Sequence, residues 1–345
     1  MVLPDDFDAR GLLPPGEYEA TFADLRDSLL VRGPRTVVPH WDANWRRHLT
    51  EQAEILVDQL WAVGISDVYL DGSFVEDKPH PNDIDGYFVC DPLPLANGAL
   101  TAALNVLDPR KVWTWDPRSR TPYRGYAKKQ LPMWHAYRVE LYPHFGQGSS
   151  GDPGPVRERA VLPRRVPSAA EHRRAQGHRE DSPSSALAMI RTEHEYHRAL
   201  VNLKRDAEAM AAQRAHLREM GIDGEALERA MQPMESFRQQ LEEEVHVYER
   251  MKRGELDVLH SLTSIGRWLI GIRIARGMTQ RQLADRLGVA ESQVSRDERN
   301  EYYGITVERA QRILEALGTR FRMEIEEPIS TDPFASAPDG VLVPA

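Results

Sequence analysis

The stretch GQGSSGDPGPVRERAVLPRRVPSAAEHRRAQGHREDSPSS, Gly146 to Ser185, most constrains how this chain folds. It is rich in Gly, Pro, Ser and Arg, with almost no apolar periodicity. Such a segment cannot bury enough apolar surface to offset the entropy of ordering it. It reads as a flexible linker over residues 146–186. Its arginines either touch nucleic acid or are simply solvated. The chain therefore divides into units that must each build a core of their own.

Upstream, residues 1–145 show a small α/β pattern. NWRRHLTEQAEILVDQLWAVG places Leu49, Ala53, Leu56, Leu60 and Val63 on one helix face, and Gly64 stops it. Strands follow at DVYLDGS and DIDGYFVC, then a helix around LANGALTAALNVL and a half-buried strand at HAYRVELYP. The lone cysteine, Cys90, rules out an internal disulfide framework and fits a reducing cytoplasm as a buried thiol. No apolar run reaches a membrane span, and the N-terminus lacks a signal-peptide pattern, so a cytoplasmic protein without membrane contact is expected.

Downstream the pattern is helical. Residues 187–254 predict a hairpin of two long helices turning at Gly221 to Gly224. Leu227, Met231, Met234, Leu241, Val245, Tyr248 and Met251 recur mostly three and four apart. That stripe packs within the chain or between two copies, and a homodimer could use it as a seam. Pro233 predicts a kink or a fresh helix start. His194 and His197 in EHEYH lack the spacing of a zinc site and read as a surface face.

The carboxylates of DIDGYFV raise a chemical question. Transfer of a nucleotide needs a hard divalent ion, held by oxygen ligands and shared with substrate phosphates. Asp83 and Asp85, two apart on a strand, share a face while Ile84 points to the core. Gly72 and Ser73 end the preceding strand, where a glycine allows close approach to phosphate and a hydroxyl and free N–H groups can hold it. Glu140 in YRVELYP is the best third carboxylate. Lys78 and His80, between the two motifs, either contact phosphate or lie on an exposed loop.

GSFVEDKPHPNDID resembles the Gly-Ser…Asp-x-Asp signature of the polymerase-beta-like nucleotidyltransferase superfamily. More narrowly it is similar to a bacterial subfamily of uncharacterised function with a Gly-Ser-Phe-Val…Pro-Asn-Asp-Ile-Asp run, whose start LLPPGEYEATFADL also resembles. The resemblance covers about residues 10 to 145. It implies Mg²⁺ or Mn²⁺ on Asp83 and Asp85, triphosphate contact at Gly72 and Ser73, and a third acidic position at Glu140. An NTP would be the substrate. The superfamily often has Asp at that third position, where it serves as base, so Glu140 departs in length.

Net charge is -9, yet residues 265–322 carry eleven Arg, no Lys and seven Asp or Glu. A local basic surface on an acidic chain suits one DNA-binding module. SIGRWLIGIRIARG, QRQLADRLG and AESQVSRDERN are short helices, with Thr279 and Thr306 as caps and Gly288 as a stop. MTQRQLADRLGVAESQVSRDERN resembles the Cro/CI-like, Xre-type helix-turn-helix family. That resemblance implies phosphate contact by Gln280, base or phosphate contact by Ser292, Gln293 and Arg296, and packing by Val294 and Leu283. Ser295 and Arg299 of the same helix are grouped with the DNA contacts. Glu291 and Asp297 add negative charge to the reading helix. RFRMEIEE alternates like a strand that could pair with a second copy.

The expected fold class is α+β: a small mixed-sheet nucleotidyltransferase-like domain, then a helical hairpin, then an all-α helix-turn-helix domain at residues 255–328 and a tail at 329–345. Expected partners are double-stranded DNA, an NTP, a second copy, and a cognate toxin or antitoxin protein. Two functions remain open. One is a DNA-binding regulator that transfers NMP from NTP to an acceptor. The other is a repressor or antitoxin whose N-terminal domain binds nucleotide or a partner without turnover.

Overall fold

The computed structural model describes residues 3–14, 16–123, 128–145, 159–163, 189–256, 258–259, 261–320 and 322. The N-terminal part runs β1 (Glu17–Glu19), α1 (Phe22–Asp27), α2 (Leu29–Arg32), α3 (Ala43–Ala62) and β2 (Asp67–Asp71). A 3-10 turn, Gly72–Val75, leads through a loop to β3 (Ile84–Val89). Then come α4 (Pro92–Ala96), α5 (Ala99–Leu107), β4 (Thr121–Pro122), β5 (Lys129–Gln130), α6 (Pro132–Tyr137), β6 (Val139–His144) and β7 (Arg159–Pro163). The helical part comprises α7 (Glu193–Glu219), α8 (Gly224–Lys252), α9 (Ile265–Ala275), α10 (Gln280–Leu287), α11 (Glu291–Arg299) and α12 (Val307–Ala316).

Five strands form one mixed sheet in the order β1-β7-β2-β3-β6. β2 pairs antiparallel with β3 and β7, while β3 runs parallel to β6 and β1 parallel to β7. Alternation along each strand sorts the side chains. Val68, Leu70, Ile84, Phe88, Val139 and Leu141 face a core shared with Leu49, Leu56 and Leu60 of α3. Asp71, Asp85 and Glu140 stand in register on the other face. That face is covered by α8, whose Gln240 bonds to Glu140 and whose Phe237 ring meets Tyr142 edge-on. The sheet is thus sandwiched between α3 and α8.

Three sequence expectations are corrected. Strand β7 lies inside the expected linker and pairs with both β1 and β2, because the short apolar run AVL completes the sheet despite its Gly, Pro and Arg surroundings. The rest of that segment, with RFRMEIEE (except residues 320 and 322) and the tail, lies outside the described residues. α8 continues as one helix through the buried Pro233, so of the kink and the fresh helix start expected there it is the fresh start that is overturned. The single helix expected around LANGALTAALNVL is two, α4 and α5, separated at Asn97 and Gly98, where Gly98 takes φ +82°.

The α8 stripe is used within the chain. Leu227 and Met231 pack with Met210 and Leu217 of α7 and with Ala96 of α4. Leu241, Val245 and Tyr248 enter one core with Leu269, Ile270, Leu283, Val294 and Leu314 of the last four helices. The hairpin and the helix-turn-helix share that core, so α8 ties the C-terminal helices to the N-terminal sheet. Among the described residues no helix is long and apolar enough to cross a membrane.

Candidate functional site

The first half of the site is built by β2, the Gly72 turn and β3. Gly72 adopts φ +71°, and a Cβ added there would overlap Oδ2 of Asp85. Only a glycine lets the turn close this tightly on the carboxylate. Ser73 follows, half-buried, in the same turn. Asp83 and Asp85 are both buried while Ile84 enters the core, as the spacing predicts. Asp85 sits between Asp71 and Glu140 in a row across three strands.

The partners of these carboxylates differ. Asp83 accepts a hydrogen bond from the Trp134 indole at 2.6 Å. Glu140, fully buried, has both oxygens engaged: the Leu131 amide donates at 3.1 Å and the Gln240 amide at 2.7 Å. Oδ1 of Asp85 is buried with no hydrogen-bond partner. Burial, with Asp83, Asp71 and Glu140 nearby, holds the Asp85 carboxyl well above the usual carboxylate range. Burial also raises Glu140, against its two hydrogen bonds.

Lys128 supplies the local positive charge. Its ammonium donates to Glu244 of α8 at 2.8 Å and feels Asp83 and Glu140. Burial works to lower its pKa, but these carboxylates outweigh it and hold the pKa above the ordinary lysine value. Burial pushes Glu244 up to about 7. Beside it, Glu243 receives Arg120 at 2.9 and 3.1 Å and the Lys129 amide at 2.9 Å. Ser236 donates to the Trp115 carbonyl at 2.6 Å. α8 therefore contributes a row of polar side chains, Ser236, Gln240 and Glu244, to the carboxylate face.

The donor set is chemically suited to a hard divalent ion, and the open oxygen of Asp85 would accept one. Yet among the described residues no three acidic or imidazole groups come together as a metal-holding group. Glu140, the third carboxylate of the expected set, accepts one hydrogen bond on each oxygen, from Leu131 and from Gln240.

Sequence reading missed Lys128, Trp134, Gln240 and Glu244. The first two carry no local signal. The last two carry one: Ser236, Gln240 and Glu244 recur every fourth residue, a polar row on a helix otherwise read by its apolar stripe.

The second half of the site is the helix pair α10 and α11. Thr279 caps α10 through a capping box with Gln282, and Gly288 at φ +67° ends it. Leu283 and Val294 are buried between the helices, as the resemblance implied. Ser292, Gln293, Ser295 and Arg296 are exposed along α11. Two expected DNA contacts are engaged elsewhere. Gln280, half-buried, donates to Glu298 at 2.8 Å. Glu298 in turn is fully buried and paired with Arg273 at 2.5 and 2.7 Å. Arg299 is ion-paired with Asp77 of the N-terminal part and donates to the Arg10 carbonyl at 3.0 Å. Lys78 is buried and His80 half-buried against the same C-terminal segment, so neither lies on an open loop.

Residues 269–322 match the family described as helix-turn-helix. Residues 5–158 match a family described as a family of unknown function, DUF6932. No curated protein and no solved structure matches the chain. The chain thus carries a helix-turn-helix domain of the DNA-binding kind, behind an N-terminal domain whose family has no assigned function.

Proposed function

We propose that the protein is a sequence-specific DNA-binding regulator whose N-terminal domain binds nucleotide or a partner and adjusts DNA reading. The observation that carries this reading is α11, which exposes Ser292, Gln293, Ser295 and Arg296 while Val294 anchors it to the core. Short polar side chains and an arginine on one exposed helix face suit base edges and phosphates of a major groove. The test is selection of duplexes from a random pool by the full chain, followed by titration of Gln293→Ala with Arg296→Ala. The pair should lower affinity for the selected duplex by about tenfold or more, the scale of one lost bidentate base contact. Unchanged affinity would sink the assignment of α11.

A second reading is favoured by one observation, the unsatisfied Asp85 Oδ1 beside the close Gly72 turn. In it an acceptor hydroxyl attacks the α-phosphate of an NTP held by the N-terminal domain, so that NMP passes to the acceptor oxygen, pyrophosphate leaves and the hydroxyl proton goes to solvent. Mg²⁺ or Mn²⁺ would be held by Asp83 and Asp85 and would neutralise the triphosphate. Gly72 and Ser73 would approach the phosphates, and Lys128 would add a positive charge. Incubation with Mg²⁺ or Mn²⁺, each labelled NTP, and cellular RNA and protein as acceptors decides it. Label transfer lost in the double variant Asp83→Ala, Asp85→Ala supports turnover. No transfer under any pairing leaves the regulator alone.

A further inference from the structure

The loop of residues 76–82 joins Gly72-Ser73 to Asp83, and it also receives the end of the reading helix. Arg299, the last residue of α11, is bound by Asp77. The charge of Arg296, one turn earlier, also bears on Asp77. Past the helix, Glu301 approaches Lys78 at 3.8 Å and Asn82 at 3.4 Å. Tyr303 stacks on His80 with ring centroids 4.2 Å apart and planes 10° from parallel. Its hydroxyl donates to Asp42 at 3.1 Å, and His80 stacks in turn on Trp45. The loop is preformed: buried Arg46 donates to the carbonyls of Phe74, Glu76 and Lys78.

Arg299, held in these contacts, is one of the groups that the DNA reading of α11 assigns to the duplex. A helix with its side chains fills a major groove, so whatever is bonded to its end occupies the space of the flanking phosphates. Phosphate contacts from arginine fix the register of a reading helix. A guanidinium fork that grips a carboxylate is not available to a phosphate at the same time.

We propose that the loop of residues 76–82 is an internal competitor of DNA: it holds Arg299 and Tyr303, and DNA binding requires its release. The same loop borders the carboxylates Asp83 and Asp85. Release on DNA is therefore felt at the candidate site, and by reciprocity a ligand that stiffens that site weakens DNA binding. The proposal rests on the reading of α11 as a DNA contact.

The test uses the full chain and a duplex it selects from a random pool. Affinity is measured for the unaltered chain, for Asp77→Asn, for His80→Ala, and for the pair. Both changes lie outside the helix-turn-helix, and two separate sites guard against a folding defect in one. The pair is expected to bind about tenfold tighter, which is about 1.4 kcal/mol. Hydrogen exchange supplies a second readout: amides of residues 76–82 should exchange faster when the duplex is added. The proposal is overturned if both variants bind within about twofold of the unaltered chain and loop exchange does not change. It is also overturned if Asp77→Asn binds more weakly. Gln293→Ala separates the two ideas: if it lowers affinity while the loop variants do nothing, the DNA reading stands and the competition fails. If the chain selects no duplex, both fall together.

Discussion

Gly72 lies so close to Asp85 that a Cβ on it would overlap the carboxylate oxygen Oδ2. The turn after β2 and the start of β3 are thereby fitted to each other through one missing methyl group. Gly72 also takes φ +71°, a conformation that strains other residues. Gly72→Ala should cost about 1–3 kcal/mol of stability, combining backbone strain with the displaced carboxylate. Urea unfolding of Gly72→Ala, Asp85→Ala and the double variant separates these parts. The double variant should lose less than the sum, since the contact is already relieved. Additive losses would show that the carboxylate does not press on the turn.

Arg46 is fully buried on α3 and donates to four backbone carbonyls, those of Leu30, Phe74, Glu76 and Lys78, at 2.6 to 2.9 Å. Its guanidinium lies over the Trp41 ring at 4.1 Å. Arg46→Met leaves those carbonyls buried without donors, a loss of about 3–5 kcal/mol. Arg46→Lys should recover little, because a point charge cannot reproduce the planar fork. A loss below about 1 kcal/mol in Arg46→Met would mean that water replaces the bonds without cost.

The Arg273–Glu298 pair sits in the helix-turn-helix core and is bonded also by Gln280. Removing one partner strands a buried charge. Glu298→Ala should therefore destabilise by about 3–5 kcal/mol, while Arg273→Met with Glu298→Leu should restore much of it. Thermal unfolding compares the two. Equal loss in both would show that the pair contributes specific bonds that packing cannot replace.

What was legible in the sequence was local. The capped and glycine-stopped helix α10 follows from Thr279, Gln282 and Gly288, all within one turn of the ends they define. Asp83 and Asp85 were placed on one face by strand alternation alone, and Glu140 fell into register with Asp85 across β3 and β6. What was hidden was long-range. Gln240 reaches Glu140 from 100 positions away, and Arg299 reaches Asp77 from 222 positions away. No periodicity encodes which surface a polar side chain will meet. β7 was hidden for another reason: its paired residues 159–163 are too few to show a pattern against their surroundings. Pro233 does not begin a fresh helix because propensity is a weak prior, and burial of the α8 stripe on both sides keeps the helix continuous.

Glu301 gives the clearest dependence on pH. Burial works to raise its carboxyl, but Arg267, with which it is ion-paired, and Lys78 outweigh burial and hold it down to about 2. The unfolded chain titrates it near the ordinary glutamate value, so the folded pKa is depressed. Its contribution is then fully present above about pH 4.5 and is lost as pH falls toward about 2. A tenfold change in proton affinity is worth about 1.4 kcal/mol, which makes the contribution about 2–3 kcal/mol once incomplete burial is allowed for. Urea midpoints between pH 6 and the acid limb should fall for the unaltered chain. Glu301→Gln should start lower and fall less over the same window. Parallel curves for the two proteins would show that the acid loss comes from other carboxylates, and that the Arg267 and Lys78 contacts do not hold Glu301 ionised.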